Sequence, residues 1–350
     1  MNSKKHGVFL GGNFFSQIKG TKAICEELAV QLDKKKWQVV TASGELNRFR
    51  RMIDFLLTAY SNRHLYQIAL IDVHSDLAFV WVEVLCWFLR LLRKPYILTL
   101  RGGKLPEFDK NNHSRLKILL RSASHVLTPS KFLFKYFRSI RPDIEYLPNA
   151  IDLTKYPEAV HAPASPRLIW VRAFSEIYNP TLAIKSINLL KSQFPEFGLV
   201  MVGPDSGDGS YEATIKTAKK FNLMDNITII GGVPKEDVPE YLSQNDIFIN
   251  TTNYESFGVA VLEAAACGLC IVTTNVGELD YLWENNVDAL LIPPDDHKAM
   301  AEAISKILLE PELAARLSKN ARKKAERFDW EIYVSKIEKI LFEVIGVNGN

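Results

Sequence analysis

Short apolar runs of strand length alternate along the chain with longer stretches whose apolar residues recur at helical spacing. Gly7 to Gly12 is the first such run, and Thr21 to Leu32 follows it with the period of a helix. Further apolar runs of the first half lie at Gln38 to Ala42, Gln67 to Val73 and Tyr96 to Leu100. Because strands that alternate with helices form parallel sheets, this pattern predicts a doubly wound α/β domain.

A second alternating series begins at Arg167. Its apolar runs lie at Leu168 to Arg172, Phe197 to Val202, Ile227 to Ile230, Ile247 to Asn250, Cys270 to Thr273 and Ala289 to Ile292. A chain of 350 residues is too long for one typical core, so we predict two Rossmann-like α/β domains, at residues 1–155 and 167–328. Residues 156–166 contain three prolines and are predicted to be a linker, and the tail from 329 to 350 is amphipathic.

The charge is divided unevenly between the two halves. Residues 1–155 carry 25 Lys and Arg against 13 Asp and Glu, whereas the rest of the chain carries 18 against 27. The N-terminal domain is therefore the part that we expect to meet an anionic partner. Its basic residues cluster at Lys34 to Lys36 and at Arg48, Arg50 and Arg51. No recognised nucleic-acid-binding module accompanies the charge, so nucleic acid is not expected as a partner.

The stretch from Leu77 to Leu92 is strongly apolar and aromatic and is followed closely by basic residues, with Arg90, Arg93 and Lys94 at its end. It is short for a membrane span and is interrupted by Glu83. One interpretation is a helix packed on the sheet. The other is attachment to an anionic membrane surface. The competing explanation of the basic residues is that they merely solubilise the domain or attract an acidic polysaccharide.

Four cysteines give no disulfide framework, and the start of the sequence lacks the apolar segment of a signal peptide. We therefore expect a cytoplasmic protein, on the inner face of the cell membrane if the membrane interpretation holds. Cys267 and Cys270 have the C-x-x-C spacing but run from a helix end into a strand, unlike redox motifs. No second pair or nearby His completes a zinc site, so both are predicted to be core cysteines and no metal is expected.

The stretch from Asn253 to Cys270 reads as a strand end, a tight turn and a helix. We predict that the helix runs from Phe257 to Cys267, with Ser256 as its N-cap and Gly268 at its C′ position. Every side chain of this helix except Glu263 is apolar or absent. A lone carboxylate in such a helix is predicted to be buried and to need hydrogen-bond donors.

Glu255 lies just before this helix and Glu263 lies two turns into it, so their backbones are separated by roughly 12 Å. Between them, free amides of Phe257, Gly258 and Val259 are expected at the positive end of the helix dipole, where an anion binds. The order of these groups along the chain, a carboxylate, the amides and a second carboxylate, matches the order of sugar hydroxyls, diphosphate and ribose hydroxyls in a nucleotide sugar. A buried helix whose Glu263 simply pairs with a neighbouring Arg remains the alternative.

These residues resemble the Glu-x7-Glu signature of the family 4 retaining glycosyltransferases, which have the two-domain GT-B architecture. Leu147 to Asp152 resembles the family's Pro-Asn-Gly-(Ile/Val)-Asp segment, and Gly277-Glu278 resembles its donor-site loop. The match in order and spacing runs from about Gly20 to Trp330. The resemblance implies that two domains face each other across a cleft and that residues 329–350 form a helix packed back on the N-terminal domain.

Carried over from the family, Glu255 contacts the transferred sugar and Glu263 binds the ribose. Arg172, at the end of the first strand of the second domain, matches an Arg that clamps the donor diphosphate and is a catalytic candidate, with an ordinary surface ion pair as the alternative. The Lys that follows this Arg in the family falls on Tyr178 or Asn179. The second clamp charge is therefore absent here or supplied elsewhere.

In the N-terminal domain, the resemblance makes Gly20 and Thr21 candidates to contact the donor diphosphate, although the first glycine of the family's pair is missing. Asn149, in the Pro-Asn segment, is a further donor-binding candidate. Arg101 follows a strand at the position where most relatives have His. Since arginine does not deprotonate in proteins, Arg101 is not a base but can hold an anionic or hydroxylated ligand, and an Arg that braces the adjacent glycine loop is the equal alternative.

The resemblance implies transfer of a sugar from a UDP- or GDP-sugar to a hydroxyl of a glycan or lipid-linked acceptor, with retention of configuration, in cell-surface polysaccharide or lipopolysaccharide synthesis. It implies no cofactor beyond the nucleotide-sugar donor and no metal, and the sequence contains no Asp-x-Asp metal motif. A hydrolase or epimerase of the same architecture, and a protein that only binds a nucleotide sugar, remain open.

Overall fold

The chain forms two α/β units, each built on its own parallel sheet. The computed structural model describes residues 6–16, 23–75, 77–158 and 163–346, with the backbone alone at Arg48 and Leu77. Unit 1 comprises Met1–Ala150 and Trp330–Asn350, and unit 2 comprises Ile151–Asp329. Two doubly wound domains are therefore confirmed.

Within the described residues of unit 1, six strands alternate with five helices before the chain passes to unit 2. The strands are β1 (Gly7–Gly11), β2 (Gln38–Ala42), β3 (Ile68–Val73), β4 (Tyr96–Leu100), β5 (His125–Thr128) and β6 (Glu145–Tyr146). The helices are α1 (Ile24–Lys34), α2 (Arg48–Ser61), α3 (Leu77–Leu91), α4 (Leu105–Ser122) and α5 (Lys131–Phe137). All the strand pairs are parallel, in the order β2-β1-β3-β4-β5-β6. β5 and β6 extend this sheet beyond the four strands predicted from the sequence.

Unit 2 repeats the alternation. Its strands are β7 (Arg167–Val171), β8 (Gly198–Val202), β9 (Ile227–Gly231), β10 (Ile247–Asn250), β11 (Cys270–Thr274) and β12 (Leu290–Ile292). Its helices are α6 (Pro180–Leu190), α7 (Ser210–Lys220), α8 (Val238–Ser243), α9 (Val259–Ala266), α10 (Leu279–Leu282), α11 (His297–Leu309) and α12 (Pro311–Ala325). The parallel strands lie in the order β12-β11-β10-β7-β8-β9, so all six predicted strands are present and the order reverses between β10 and β7.

The C-terminal helix α13 (Trp330–Ile345) belongs to unit 1. Its apolar face, which includes Tyr333, Ile337 and Leu341, is buried in one cluster with residues of β1, α1 and β3. Trp37 donates a hydrogen bond from its indole nitrogen to Glu338 at 2.9 Å. The predicted return of the C-terminal helix to the N-terminal domain is confirmed. Burial of its apolar face stabilises the docked helix.

The chain passes from unit 1 to unit 2 between Ala150 and Ile151. The amide of Ile151 donates to the carbonyl of Phe328 at 2.8 Å, and both Ile151 and Tyr156 are buried in a core cluster of unit 2. Residues 151–155, predicted to be in the first domain, and Tyr156, predicted to begin the linker, therefore lie in unit 2. Apolar packing of Ile151 and Tyr156 is the physical reason that these residues lie in unit 2.

Candidate active site

The side chains of Arg172 and Glu255 meet where the strand order of unit 2 reverses. Arg172 follows β7, and its amide donates to the carbonyl of Val202 at 3.0 Å. Glu255 lies in the loop after β10, the strand next to β7. Their guanidinium and carboxylate form an ion pair, and both side chains are largely buried. The carboxyl ends of strands at such a reversal are where open α/β sheets bind ligands.

The guanidinium of Arg172 also lies over the ring of Tyr178, 5.0 Å from the ring centroid. Tyr178 is one of the two positions on which the second clamp charge of the family falls. It instead supplies an aromatic face that fixes the orientation of the arginine. Nε of Arg172 has no hydrogen-bond partner among the described residues, so this buried donor has capacity for a further acceptor.

The helix that follows Glu255 begins two residues later than predicted, because Gly258 and not Ser256 is its N-cap. Gly258 adopts φ +91°, which a side chain rarely tolerates, and a Cβ there would lie 2.6 Å from Cδ2 of Leu279. The first helical hydrogen bond runs from the amide of Leu262 to the carbonyl of Gly258. Gly268, with φ +79°, follows the C-cap as predicted.

Not all of the predicted amides are open at this helix end. The amide of Phe257 donates to Oε1 of Glu255 at 3.2 Å, so it orients the carboxylate instead of facing solvent. The amides of Val259, Ala260 and Val261 precede the first helical donor, and they point out of the N-terminus of α9. Of the three amides predicted for the anion site, that of Phe257 is therefore engaged by Glu255, and the amides without an intrahelical acceptor are those of the first turn of the helix.

The loop that carries Gly277 and Glu278 packs directly against Glu255. The amide of Glu278 donates to the carbonyl of Glu255 at 3.1 Å. Gly277 has φ +56°, and a Cβ at this position would lie only 2.0 Å from the same carbonyl oxygen. A glycine at 277 is thus required for the loop to hold the backbone of Glu255 in place.

Glu263 is buried in α9 and forms an ion pair with Lys235, whose side chain is about two-fifths exposed. The alternative prediction was that Glu263 pairs with a neighbouring arginine, whereas its partner in the structure is this lysine. Oε2 of Glu263 has no hydrogen-bond partner in the part of the chain that the structure describes. The hydroxyl of Tyr156 lies beside Glu263, and burial, the charge of Glu263 and a hydrogen bond to its carboxylate raise the pKa of Tyr156.

Lys235 is a site residue that sequence reasoning missed. It begins a short 3-10 helix, Lys235–Asp237, which follows β9 after a loop of three residues. The signal available in the sequence was its place directly after a strand and loop at the carboxyl edge of the sheet. That placement does not reveal which carboxylate its side chain reaches.

Arg101 and Asn149 lie together in unit 1. Nε of Arg101 donates to Asp72 at 2.6 Å, and Nη1 donates to Oδ1 of Asn149 at 2.6 Å. Burial acts to lower the pKa of Arg101, but the carboxylate of Asp72 outweighs it and the pKa is raised. The amides of Arg101 and Gly102 both donate to the carbonyl of Val73, so main-chain hydrogen bonds hold the start of the glycine loop.

His74, directly after β3, was not among the predicted site residues. Its imidazole lines a small cavity together with Asp72, Arg51 and Trp81. Burial lowers its pKa, and the charges of Arg101 and Arg51 act in the same direction against that of Asp72. A neutral imidazole therefore lies beside the Arg101 network.

Three further predictions concern residues elsewhere in the chain. Of these residues, Gly20 and Thr21 lie outside the part of the chain that the structure describes. Arg51 was predicted to be a surface cation, but its side chain is partly buried. Its guanidinium donates to Asn13 and to the carbonyl of Gly12, and it stacks 4.7 Å from the ring centroid of Phe15. Cys267 and Cys270 are buried free thiols whose pKa burial raises to about 12, as expected of core cysteines.

The described part of the chain contains neither a candidate metal cluster nor a helix that could span a membrane. In residues 6–16, 23–75, 77–158 and 163–346, no group of three or more His, Cys, Asp or Glu side chains could hold a metal ion. Over the same ranges, no helix is both long enough and apolar enough to cross a membrane.

Comparison with known proteins identifies what unit 2 resembles. Residues 156–324 match the family model described as "Glycosyl transferases group 1". Among curated proteins, the D-inositol 3-phosphate glycosyltransferase of Saccharomonospora viridis is 31% identical over 134 residues, which are 38% of this chain and 31% of that protein. The first curated relatives are covered over only 31% to 55% of their own length.

Solved structures match over nearly the whole chain. Sucrose-phosphate synthase from Thermosynechococcus elongatus has a TM-score of 0.80 at 19% identity and covers 98% of this chain and 100% of its own. Anabaena HepE, solved in complex with UDP-glucose, has a TM-score of 0.78 at 16% identity over 96% of this chain and 99% of its own. At such identities the likeness shows the fold, which is the two-domain GT-B fold predicted from the sequence.

Proposed function

We propose that the chain is a retaining glycosyltransferase of family 4, on the premise that its residues 156–324 match the family model of the group 1 glycosyl transferases. It transfers a sugar from a nucleoside diphosphate sugar to a hydroxyl group of a glycan or lipid-linked acceptor. In this proposal the reaction takes place on the cytoplasmic side of the membrane and contributes to cell-surface polysaccharide or lipopolysaccharide synthesis.

The observation that carries the proposal is the ion pair of Arg172 and Glu255 beside the open N-terminus of α9. A cation with an unused buried donor, a row of helix amides and an oriented carboxylate are the groups that a sugar diphosphate requires. Arg172 and the amides of Val259 and Ala260 hold the diphosphate, and Glu255 contacts the hydroxyls of the transferred sugar.

These groups act on the leaving group of the reaction. As the bond between the anomeric carbon and the diphosphate oxygen breaks, negative charge grows on that oxygen. Preorganised donors from Arg172 and α9 stabilise this charge without having to reorganise, so they favour the transition state over the ground state. The acceptor oxygen forms its new bond on the same face of the sugar, and its proton passes to the leaving phosphate.

Glu263 serves the nucleoside half of the donor in this proposal. Its buried Oε2 has no partner among the described residues and accepts from a ribose hydroxyl, with the base near Gly231 to Pro234. UDP is the first nucleotide to test, since Anabaena HepE, which shares the fold, was solved with UDP-glucose. GDP is the second.

A screen of labelled UDP- and GDP-sugars against candidate acceptors, read by proton NMR, tests the proposal. We expect an α-linked product from an α-linked donor, formed equally well in EDTA because no metal takes part. A β-linked product would overturn the retaining mechanism. Free sugar or an epimer would indicate a hydrolase or epimerase instead, and nucleotide-sugar binding without turnover would indicate a protein that only binds.

A further inference from the structure

Helix α2 of unit 1 exposes a stripe of large apolar side chains. Phe49, Ile53, Leu57 and Tyr60 are 73%, 53%, 59% and 50% exposed. They are spaced by four, four and three residues, so they fall within an arc of about 80° and extend over about 16 Å of the helix. We refer to these four residues as the α2 stripe.

The opposite side of α2 already supplies the packing that holds it on the sheet. Phe55 and Ala59 are buried in the core cluster of unit 1. A surface helix with one buried apolar face normally carries polar and charged side chains on the other. The core packing of α2 therefore lies on the side opposite the α2 stripe, and the exposed apolar surface of the stripe is available to a partner.

Basic side chains border the α2 stripe. Arg50 is exposed one residue after Phe49, and Arg63 lies just past the end of the helix with its guanidinium 4.2 Å from the ring centroid of Tyr60. Asp54 is the only acidic residue of α2, and no acidic residue occupies the first turn, where the helix dipole would favour one. The sequence of unit 1 as a whole carries 26 Lys and Arg against 15 Asp and Glu.

The neighbouring helix α3 has the same character. It buries Phe79, Leu85 and Leu89 against the sheet, as the first of the two interpretations of this stretch expected. It packs beside α2 and leaves Trp87 and Leu91 more than half exposed. Exposed Arg90 and Arg93 lie at its end. The two helices thus both combine outward apolar or aromatic side chains with arginine.

We propose that the α2 stripe docks on the surface of an anionic lipid bilayer, with Arg50 and Arg63 on lipid phosphates. This inference goes beyond the transfer reaction and does not depend on it. Apolar and aromatic side chains along one helix face, bordered by basic residues, have the chemistry of a helix that lies in the headgroup region. A protein partner would have to supply a matching acidic groove, whereas an anionic bilayer supplies both the apolar layer and the negative charge.

Sedimentation with phosphatidylglycerol and phosphatidylcholine vesicles at low and moderate salt tests the proposal. The full chain is expected to bind phosphatidylglycerol vesicles, and binding should weaken as salt screens the phosphates. The triple variant Phe49→Ser, Ile53→Ser, Leu57→Ser should lose about tenfold or more in partitioning. The double variant Arg50→Gln, Arg63→Gln should lose about fivefold for each arginine, and its binding should depend less on salt than that of wild type.

The control is a triple variant of unit 2, Leu189→Ser, Met224→Ser, Leu309→Ser, which removes three comparably exposed apolar side chains. It should sediment as wild type does, and circular dichroism verifies that every variant is folded. Wild type that stays in the supernatant at low salt, or a stripe variant that binds as wild type does, would overturn the proposal. A third outcome would also overturn the proposal: no binding to vesicles, together with light scattering that shows a dimer in wild type and a monomer only in the stripe variant. The α2 stripe would then contact a second copy of the chain.

Discussion

The ammonium group of Lys235 lies against the buried carboxylate of Glu263, and the two residues come from different elements of unit 2. Lys235 opens the 3-10 helix after β9, while Glu263 lies in the middle of α9. Oε1 of the carboxylate contacts the lysine, whereas Oε2 has no hydrogen-bond partner among the described residues. The carboxylate that we assign to the ribose therefore has its charge compensated and one oxygen still available.

Lys235 and Glu263 should be coupled in stability. Lys235→Met leaves a buried carboxylate without its cation, and we expect a loss of about 1–3 kcal/mol in the free energy of unfolding, less than for a fully buried pair because the lysine is partly exposed. The double variant Lys235→Met, Glu263→Gln should lose less than the sum of the single variants. Urea denaturation measures this cycle, with Lys219→Met on α7 as the control for removing an exposed lysine. Additive losses would show that the pair does not interact.

Glu263 should matter for nucleotides that carry ribose hydroxyls. Glu263→Ala is expected to weaken UDP binding by about ten- to a hundred-fold, the value of one charged hydrogen bond. The same substitution should leave the affinity for a 2′,3′-dideoxy analogue of UDP almost unchanged, because that analogue has no hydroxyl to donate. Calorimetry with both nucleotides separates the two cases. If Glu263→Ala binds UDP as wild type does, the ribose role is wrong.

Most of the fold could be predicted because its strands are buried on both faces. Strands such as β4 and β11 are entirely buried and leave continuous apolar runs in the sequence. β6 has only two residues, Glu145 and Tyr146, neither of them buried, so it leaves no such signature. Its pairing with β5 depends on the completed sheet, which local pattern does not contain.

The candidate site was predictable in its residue types but not in its contacts. Ser256 satisfies the usual preference for an N-cap, yet the helix starts after Gly258 because that glycine takes a positive φ and the amide of Phe257 turns to Glu255. The contact of Lys235 with Glu263 joins positions 28 residues apart in sequence, and a single sequence holds no signal for such a pair. Local propensity indicates elements, whereas these contacts depend on tertiary packing.

Glu255 should affect turnover more than binding. Glu255→Gln keeps the shape of the side chain but removes the charge that pairs with Arg172. We expect kcat to fall about ten- to a hundred-fold while the Kd of UDP changes less, since the sugar and not the nucleotide is the partner of this carboxylate. Steady-state kinetics and calorimetry provide the comparison, and Glu284→Gln, an exposed carboxylate of unit 2, is the control. Equal losses in kcat and UDP affinity would contradict this role.

His74 should make the stability of unit 1 depend on pH. Burial lowers its pKa below the ordinary value of about 6.5, so the unfolded chain takes up a proton at a higher pH than the folded one. The free energy of unfolding should therefore fall as pH drops below about 6.5, until the folded pKa is reached. His74→Gln removes this dependence, and urea denaturation between pH 7.5 and 5 measures it. The control His64→Gln changes an exposed histidine, and an identical effect of both variants would refute the assignment to His74.

Gly258 should be required for both the start of α9 and nucleotide binding. Gly258→Ala places a Cβ at φ +91° and 2.6 Å from Cδ2 of the buried Leu279, whereas Gly207→Ala has a similar φ of +73° but open space around it. The positive φ costs about 1–2 kcal/mol in either variant, and the contact with Leu279 adds about 1 kcal/mol or more only at Gly258.

Urea denaturation and calorimetry with UDP distinguish these two glycine variants. Gly207→Ala should lose stability without losing UDP affinity. Gly258→Ala should lose more stability and should also bind UDP several-fold more weakly, because relief of the contact with Leu279 displaces the amides of Val259 and Ala260 from the diphosphate. If both variants bind UDP equally well, the first turn of α9 does not hold the phosphates, and Arg172 is left as their principal partner.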